Sequence, residues 1–413
     1  MRLMLSVVMA GVAAGCGDAT NPHPQPPPPA PLLLTTIAAG YYATCGIGVN
    51  DTLYCWGDGT MGQLGVPASD TLIEDCSSIP GESPCAHEPL PVGLTAFTTL
   101  VAGGEGFCGV GPSLTPSCWG DDRYGEVGTT VADTCGNPLG PCARTPTVLS
   151  LGGITQLSNG GTHACGVDQT GVGWCWGYGA YGRIGNGADT NVQTPTTVVD
   201  SLHFRSVVAG GASTCGILVD STAACWGYNN LGSLGTSDTL SHSLPVVVSD
   251  SLHFTFIAVG IAHACALTAS GLAYCWGGNT AGELGGFTSE TCDFNIACAT
   301  HPIPVLGAHS FTSLTLGDAF TCGIATDGSF CWGALPGTSA RMGVPTSFGV
   351  QGVQGGEQFV SISAGFSHAC GITSSHQAYC WGTDYHGVLG HGSKDASGGI
   401  PVLVVSRDTT KSP

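Results

Sequence analysis

One pattern constrains this chain more than any other: a pair of cysteines followed by Trp-Gly, met seven times between Cys45 and Gly382. Cys265 to Gly277 is a representative copy, C-A-L-T-A-S-G-L-A-Y-C-W-G. The tryptophans of the set are Trp56, Trp119, Trp176, Trp226, Trp276, Trp332 and Trp381. Apolar and polar residues alternate on both sides of Ala269-Ser270-Gly271, as two short antiparallel strands joined by a tight turn require. In register about that turn Cys265 lies opposite Cys275, and opposed residues have Cα atoms about 4.5 to 5.5 Å apart, within disulfide reach. The same reasoning pairs Cys45 with Cys55, Cys108 with Cys118, Cys165 with Cys175, Cys215 with Cys225 and Cys370 with Cys380. Cys322 and Cys331 pair across a turn one residue shorter, which contains Asp327-Gly328.

Successive tryptophans stand 49 to 63 residues apart, so the 413 residues read as one repeat array rather than two or three domains. With 66 glycines, 42% hydrophobic residues and 9% charged ones, the composition suits many short strands joined by tight turns, and disordered chains look different. Net charge is −19 with two lysines, which opposes binding to nucleic acid or to an anionic membrane surface, since both need a cationic patch. Of the 21 cysteines, six outside the hairpins form the close pairs Cys76/Cys85, Cys135/Cys142 and Cys292/Cys298, and Cys16 stands alone. So many spaced pairs imply an oxidising compartment. Zinc is the competing reading, but no C-x2-C spacing occurs, and no metal or other cofactor is expected.

Arg2, the apolar run Leu3 to Val12 and Ala13-Ala14-Gly15 before Cys16 resemble a bacterial lipoprotein signal. That resemblance implies removal of residues 1–15 and lipidation of Cys16. The run is too short to span a bilayer. An ordinary secretory signal is the alternative and leaves Cys16 as an odd thiol. Residues 16–31, with Pro26-Pro27-Pro28-Pro29 at their centre, form an extended spacer, about 3.1 Å per residue, that holds the folded body off a membrane. The expected location is the bacterial cell envelope, periplasmic or surface-facing, with the lipid as the only membrane contact. The repeat array fills residues 32–406, and 407–413 are a tail.

A typical unit runs from an apolar strand such as Phe254 to Ile257 through a Gly-containing bend into the cystine hairpin. It continues through Gly277-Gly278-Asn279 and Gly282-Glu283-Leu284-Gly285 to a Pro-x-x-Val strand such as Pro302 to Val305. Four strands per unit, repeated seven times about an axis, make an all-β, seven-bladed β-propeller. Gly260-Ile261-Ala262-His263, Tyr274-Cys275-Trp276-Gly277 and Gly282-Glu283-Leu284-Gly285 resemble the repeat of the regulator of chromosome condensation family, whose members fold as seven-bladed propellers. The resemblance covers all seven units. The sixth departs most, since Gly333-Ala334-Leu335-Pro336-Gly337 lacks the usual Asn and its loop ends near Met342-Gly343. The family implies exchange factors for a nuclear GTPase, interaction modules or secreted inhibitors of bacterial enzymes; export and acidity oppose the first. A ring must also protect its edge strands, so segments from the two termini are expected to share a sheet.

His163, His263 and His368 stand two positions before the first hairpin cysteine, where other units have Ala43, Gly106, Ser213 and Phe320. Recurrence at one blade position marks them as packed within their blades and not as catalytic or metal-binding. The seven tryptophans read as packing between sheets, and Trp174 as a packing variant. Glu126 and Glu283 share the G-x-[LV]-G position on units two and five, too far apart for the roughly 5 to 9.5 Å that glycoside hydrolysis needs between carboxyls. No nucleophile elbow, phosphate-binding loop, H-E-x-x-H motif or calcium loop is present, and the chain is not expected to be an enzyme.

Three long insertions carry the functional expectation: Val66 to Pro91, Thr129 to Pro146 and Gly286 to Pro304. Each follows the G-x-[LV]-G turn and holds one local cysteine pair, so all three should project from one face, pre-organised for binding. The expected contacts to an unknown protein partner are Glu74, Asp75, Glu82, His87 and Glu88, then Arg144, then Glu290, Asp293 and Phe294. The reading is an envelope-anchored, monomeric, protein-binding propeller. The alternatives are an extracytoplasmic carbohydrate-active enzyme, or a structural surface protein without a dedicated ligand.

Overall fold

Seven antiparallel sheets account for the regular structure of the chain. The computed structural model describes residues 30–76, 83–94, 97–199, 202–248, 251–334, 350–392 and 398–407. Residues 1–15, Cys16, the linker to residue 29, Glu82, Met342-Gly343 and residues 408–413 lie outside the described residues. Each sheet is one blade of a propeller, and its first three strands follow in sequence order from the axis outward. Blade five shows the plan: Phe256–Val259, His263–Leu267, Ala273–Gly278 and Ile296–Pro304. Cys265 opposes Cys275 in register, and the bond crosses the middle pair of strands with Cα atoms 4.1 Å apart. The other six hairpins are bridged in the same way, with Cα separations of 4.0 to 4.1 Å.

Blades one, two and five have five strands rather than the expected four. The insertions are hairpins, not loops: their outer strands Pro84–Leu94, Gly140–Val148 and Ile296–Pro304 begin inside the insertion and run on into the Pro-x-x-Val segment. The short edge strands Glu74–Asp75, Asp133–Cys135 and Glu290–Cys292 pair with their first residues. Cys76–Cys85, Cys135–Cys142 and Cys292–Cys298 close these hairpins, with Cα separations of 5.8 to 5.9 Å.

The tryptophans pack between blades, and they also hold the blades by a hydrogen bond. The indole N–H of Trp226 donates to the Arg183 carbonyl at 3.0 Å, and Arg183 is the second residue of the G-x-[ILV]-G turn of the preceding blade. Trp119, Trp176, Trp276 and Trp332 reach Gln63, Glu126, Ser233 and Glu283 at 2.9 to 3.0 Å. Trp56 of blade one reaches Val388 of blade seven at 2.8 Å, so the contact runs across the closure. Each of these six indoles thus buries its body and keeps its one donor satisfied. Trp174 is half-buried on its hairpin, with its N–H on the Asp168 carboxylate at 2.9 Å.

His163, His263 and His368 are fully buried, but their partners correct the expectation of a contact within the blade. Their Nε2 atoms meet the hydroxyls of Thr214, Thr321 and Thr44 in the next blade at 2.7, 2.9 and 3.0 Å. Each threonine in turn donates to the same carbonyl that the tryptophan uses, on Arg183, Glu283 and Val388. A hydroxyl has one proton, so Nε2 carries a proton and donates it to the threonine. The histidines are blade-to-blade clasps.

At the ends of the chain, Pro31 bridges Val405, and Leu33 bridges Gln377, both antiparallel. Leu32 N–H donates to the Val404 carbonyl at 3.0 Å. The termini therefore meet at blade seven, as the edge argument requires, while the strand Leu34–Ala39 that follows is the inner strand of blade one.

Around the axis the bends between first and second strands form a belt of backbone hydrogen bonds. Tyr41 N–H donates to Gly104, Gly104 to Gly160, Gly161 to Gly210 and Gly211 to Gly260, at 2.8 to 3.1 Å. A Cβ on Gly160 would meet the Gly210 carbonyl oxygen, so only glycine lets these backbones touch. Gly160→Val is expected to cost about 3 kcal/mol by forcing blades three and four apart. Gly152→Val, at a site with no atom within 4 Å, should leave thermal melting unchanged. Equal melting of both variants would show that the belt yields freely.

Candidate functional site

Strand alternation places three features of a blade at one end of its sheet: the axial bend, the end of the third strand and, in the six blades where it is described, the G-x-[ILV]-G turn. Asp58 N–H donates to Tyr42 O at 2.8 Å, and Asp121 N–H to Glu105 O at 2.9 Å, which ties third strand to axial bend in blades one and two. The inserted hairpins rise from that same end, since Cys85 opposes Asp58, Cys142 opposes Asp121 and Cys298 opposes Gly278. Each leans on the preceding blade. Gly392 N–H in blade seven donates to His87 O at 3.2 Å, Met61 of blade one packs on Cys135 and Cys142, and Asp293 N–H donates to Asn230 O of blade four at 3.4 Å.

Four of the eight described residues expected to contact a partner, Glu74, His87, Arg144 and Glu290, also brace these hairpins. His87 is buried and its Nδ1 lies 2.9 Å from Glu74 Oε2. Glu88, next along that strand, is half-buried. Arg144 donates to Thr134 O at 2.9 Å. Glu290 accepts from the Thr300 backbone and hydroxyl at 2.7 and 2.9 Å and pairs with His301 at 3.1 Å. Asp75 and Asp293 are exposed, and Glu82 lies outside the described residues. Phe294 differs from all of these: it sits at the hairpin apex with φ of 59° and is 90% exposed. The second hairpin has its own counterpart in Leu139, 74% exposed, which sequence reasoning passed over because it looked only for charge and aromatics. Cys76, Cys85 and His87 converge as a metal site would, with His87 Nε2 3.5 Å from Cys76 Sγ. The two sulfurs are joined to each other, however, and a cystine supplies no thiolate.

A second cluster surrounds the axis at this end. Tyr41 and Tyr42 of blade one meet Phe366 of blade seven with ring centroids 5.4 and 5.8 Å apart, and Tyr42 lies 5.1 Å from Tyr385. Glu105 of blade two is held by the Gln63 amide at 2.6 Å, and burial, then the nearby Asp58, push its carboxyl up to about 7. Burial, then Asp318 and Glu105, push the Tyr41 hydroxyl well above its usual range. Beneath lies an axial cavity of about 80 Å³ lined by residues of all seven blades, among them Tyr41, Gly103, Gly161, Gly211, Ile261, Gly317 and Gly365. The glycines and histidines of the bends recur from unit to unit, whereas the large residues between them do not and so carry no repeating signal.

Glu126 and Glu283 cap their own turns. Glu283 accepts from Thr280 N–H at 3.1 Å and Ala281 N–H at 2.7 Å, and Glu126 from Tyr124 N–H at 2.8 Å. Burial pushes both carboxyls up, that of Glu126 to about 8. Gln63 does the same job on blade one, accepting from Met61 N–H at 2.7 Å, so the position serves the turn whatever its charge.

The class of protein defined by these features is a disulfide-rich seven-bladed propeller with one elaborated face. Four stretches are similar to the regulator of chromosome condensation repeat: residues 34–63, 254–283 and 359–388 match one description of it, and residues 171–217 match a second. Human E3 ubiquitin-protein ligase HERC2 is 27% identical over 174 residues, 42% of this chain but 3% of HERC2. Human WBSCR16 shares the fold with a TM-score of 0.71 at 17% identity, over 86% of this chain and 94% of that one. Prp20p of Saccharomyces cerevisiae does so with a TM-score of 0.66 at 17% identity, over 83% of each chain.

Proposed function

We propose that this chain is an exported, lipid-anchored, non-catalytic propeller whose apolar hairpin tips dock a protein partner on the cell envelope. The observation that carries the reading is the pair of exposed apolar apices, Leu139 and Phe294, each at the tip of a disulfide-closed hairpin. A lone exposed apolar residue is ordinary, but two held on pre-ordered hairpins at one end of the ring lower the ordering cost of binding. Prp20p is described with binding to Gsp1p and histones, which makes protein binding a fitting use of the fold. Net charge of −19 favours a protein over a nucleic acid here. Among the described residues no helix is long and apolar enough to cross a membrane, and Cys16 is the proposed anchor.

The test uses the full chain and its Leu139→Ser/Phe294→Ala variant in cross-linked capture from envelope extract. Loss of a hot-spot side chain costs about 1–3 kcal/mol, so the double variant should bind the captured partner at least tenfold more weakly with unchanged melting. Equal capture by both forms would remove the hairpins from the binding site.

A further inference from the structure

We propose that the axial mouth is a second binding site, which takes an arginine side chain from an extended segment of a protein partner. It lies at the axis and does not depend on the hairpin tips.

Tyr41 forms its floor. The ring crosses from blade one towards blade three, where a Cβ on Gly161 would lie 2.9 Å from the tyrosine hydroxyl. Phe366 stands edge-on to Tyr41 at 67°, and Tyr42 and Tyr385 continue the wall, the latter 47% exposed. Blades three and four have Thr162 and Ala212 where blade one has Tyr42, so the aromatic wall occupies one side of the ring. Glu105 faces that wall from blade two. Its hydrogen-bond partner is the neutral Gln63 amide, and among the described residues it forms no ion pair; the nearby Arg123 guanidinium is spent on Asp121 at 3.0 Å.

An aromatic wall beside an unneutralised carboxylate matches a guanidinium, which stacks on a ring face while its N–H fork meets the carboxylate. The molecule already makes the stacking half of this arrangement once, with the Arg183 guanidinium 4.7 Å over the Tyr178 ring. Burial and Asp58 raise the Glu105 carboxyl, and an incoming cation would favour its ionised form. The overall charge of −19 adds long-range attraction for a basic segment.

The experiment titrates the full chain with capped Gly-Gly-Arg-Gly-Gly and with its citrulline analogue, a neutral isostere. Saturable binding of the arginine peptide is expected, with at least tenfold loss on citrulline substitution, in Glu105→Gln and in Tyr42→Ala. Asp220→Asn, which removes one carboxylate from an exposed hairpin turn, should bind as wild type does. Near-UV circular dichroism of each variant reports folding, and Tyr42→Phe should retain binding. Leu139→Ser/Phe294→Ala should bind the peptide normally, so failure of the hairpin reading and failure of this one are distinguishable. No saturable binding, equal loss in Asp220→Asn, or preferential binding of an oligosaccharide that Tyr42→Ala abolishes would each overturn the assignment.

Discussion

Full reduction of the ten cystines is expected to unfold the propeller. Each of six blades closes a hairpin bond at a sequence separation of 10, and the sixth blade at 9. In the chain-entropy account a loop of that size contributes about 2.7 kcal/mol. Domains have about 5–15 kcal/mol in total, so losing six or more such bonds, about 16 kcal/mol, exceeds what most folds hold in reserve. The hairpin sulfurs are buried, so reductant reaches them only when a blade opens; Cys76 and Cys292 in the inserted hairpins are half-exposed and should be reduced first. Dithiothreitol with tryptophan fluorescence as readout should therefore give two phases. An early phase reduces the Cys76–Cys85 and Cys292–Cys298 bonds with little change in emission, and a slow phase carries the red shift of all the blade tryptophans together. Retention of buried tryptophan emission in fully reduced protein would show that packing alone suffices. Cys265→Ser/Cys275→Ser should lose about 2.7 kcal/mol.

The ring was legible because its signals repeat. One hairpin with small residues is ambiguous, but seven in phase, each with Trp-Gly, leave one architecture. The extra strands were not legible, because Glu74–Asp75, Asp133–Cys135 and Glu290–Cys292 are too short to show an alternation. The histidine clasps were legible in principle. His163, His263 and His368 each have a Thr one position later in the next unit around the ring, whereas Ala43, Gly106, Ser213 and Phe320 face Phe107, Ala164, Ala264 and Ala369. A polar residue on one blade is matched by a polar residue on the next, and Thr44 answering His368 carries the pattern across the closure. The axial mouth had no periodic signal, since Tyr41, Tyr42, Glu105 and Phe366 are the non-repeating residues of repeating bends.

Acidification is expected to remove the stability that the clasps supply. Burial pulls His163, His263 and His368 down to about 3 from the ordinary 6.5, with Arg183 adding to the effect at His163. The Nδ1 atom of each has no hydrogen-bond partner among the described residues, so a second proton would be a buried charge without an acceptor. Because these folded values lie below the unfolded one, the unfolded chain takes up protons that the folded chain refuses. The contribution is complete above pH 6.5 and is lost on the way down to about 3. Each histidine costs about 1.4 kcal/mol per pH unit over that window, and three cost about 4. Glu105 and Glu126 act in the opposite sense. Their folded values of about 7 and about 8 lie above the ordinary 4.5, so they add stability as pH falls from 8 to 4.5 and then have nothing further to give. Stability should therefore rise from pH 8 to 6.5, fall by about 1.4 kcal/mol per pH unit from there to about 4.5, where three histidines outweigh two carboxyls, and drop about three times as steeply from 4.5 to 3. Urea unfolding across this range measures it, and His263→Gln, which keeps an N–H for Thr321, should remove about a third of the acid slope. A midpoint at pH 3.5 equal to that at pH 6 would show that these imidazoles ionise without cost in the folded ring.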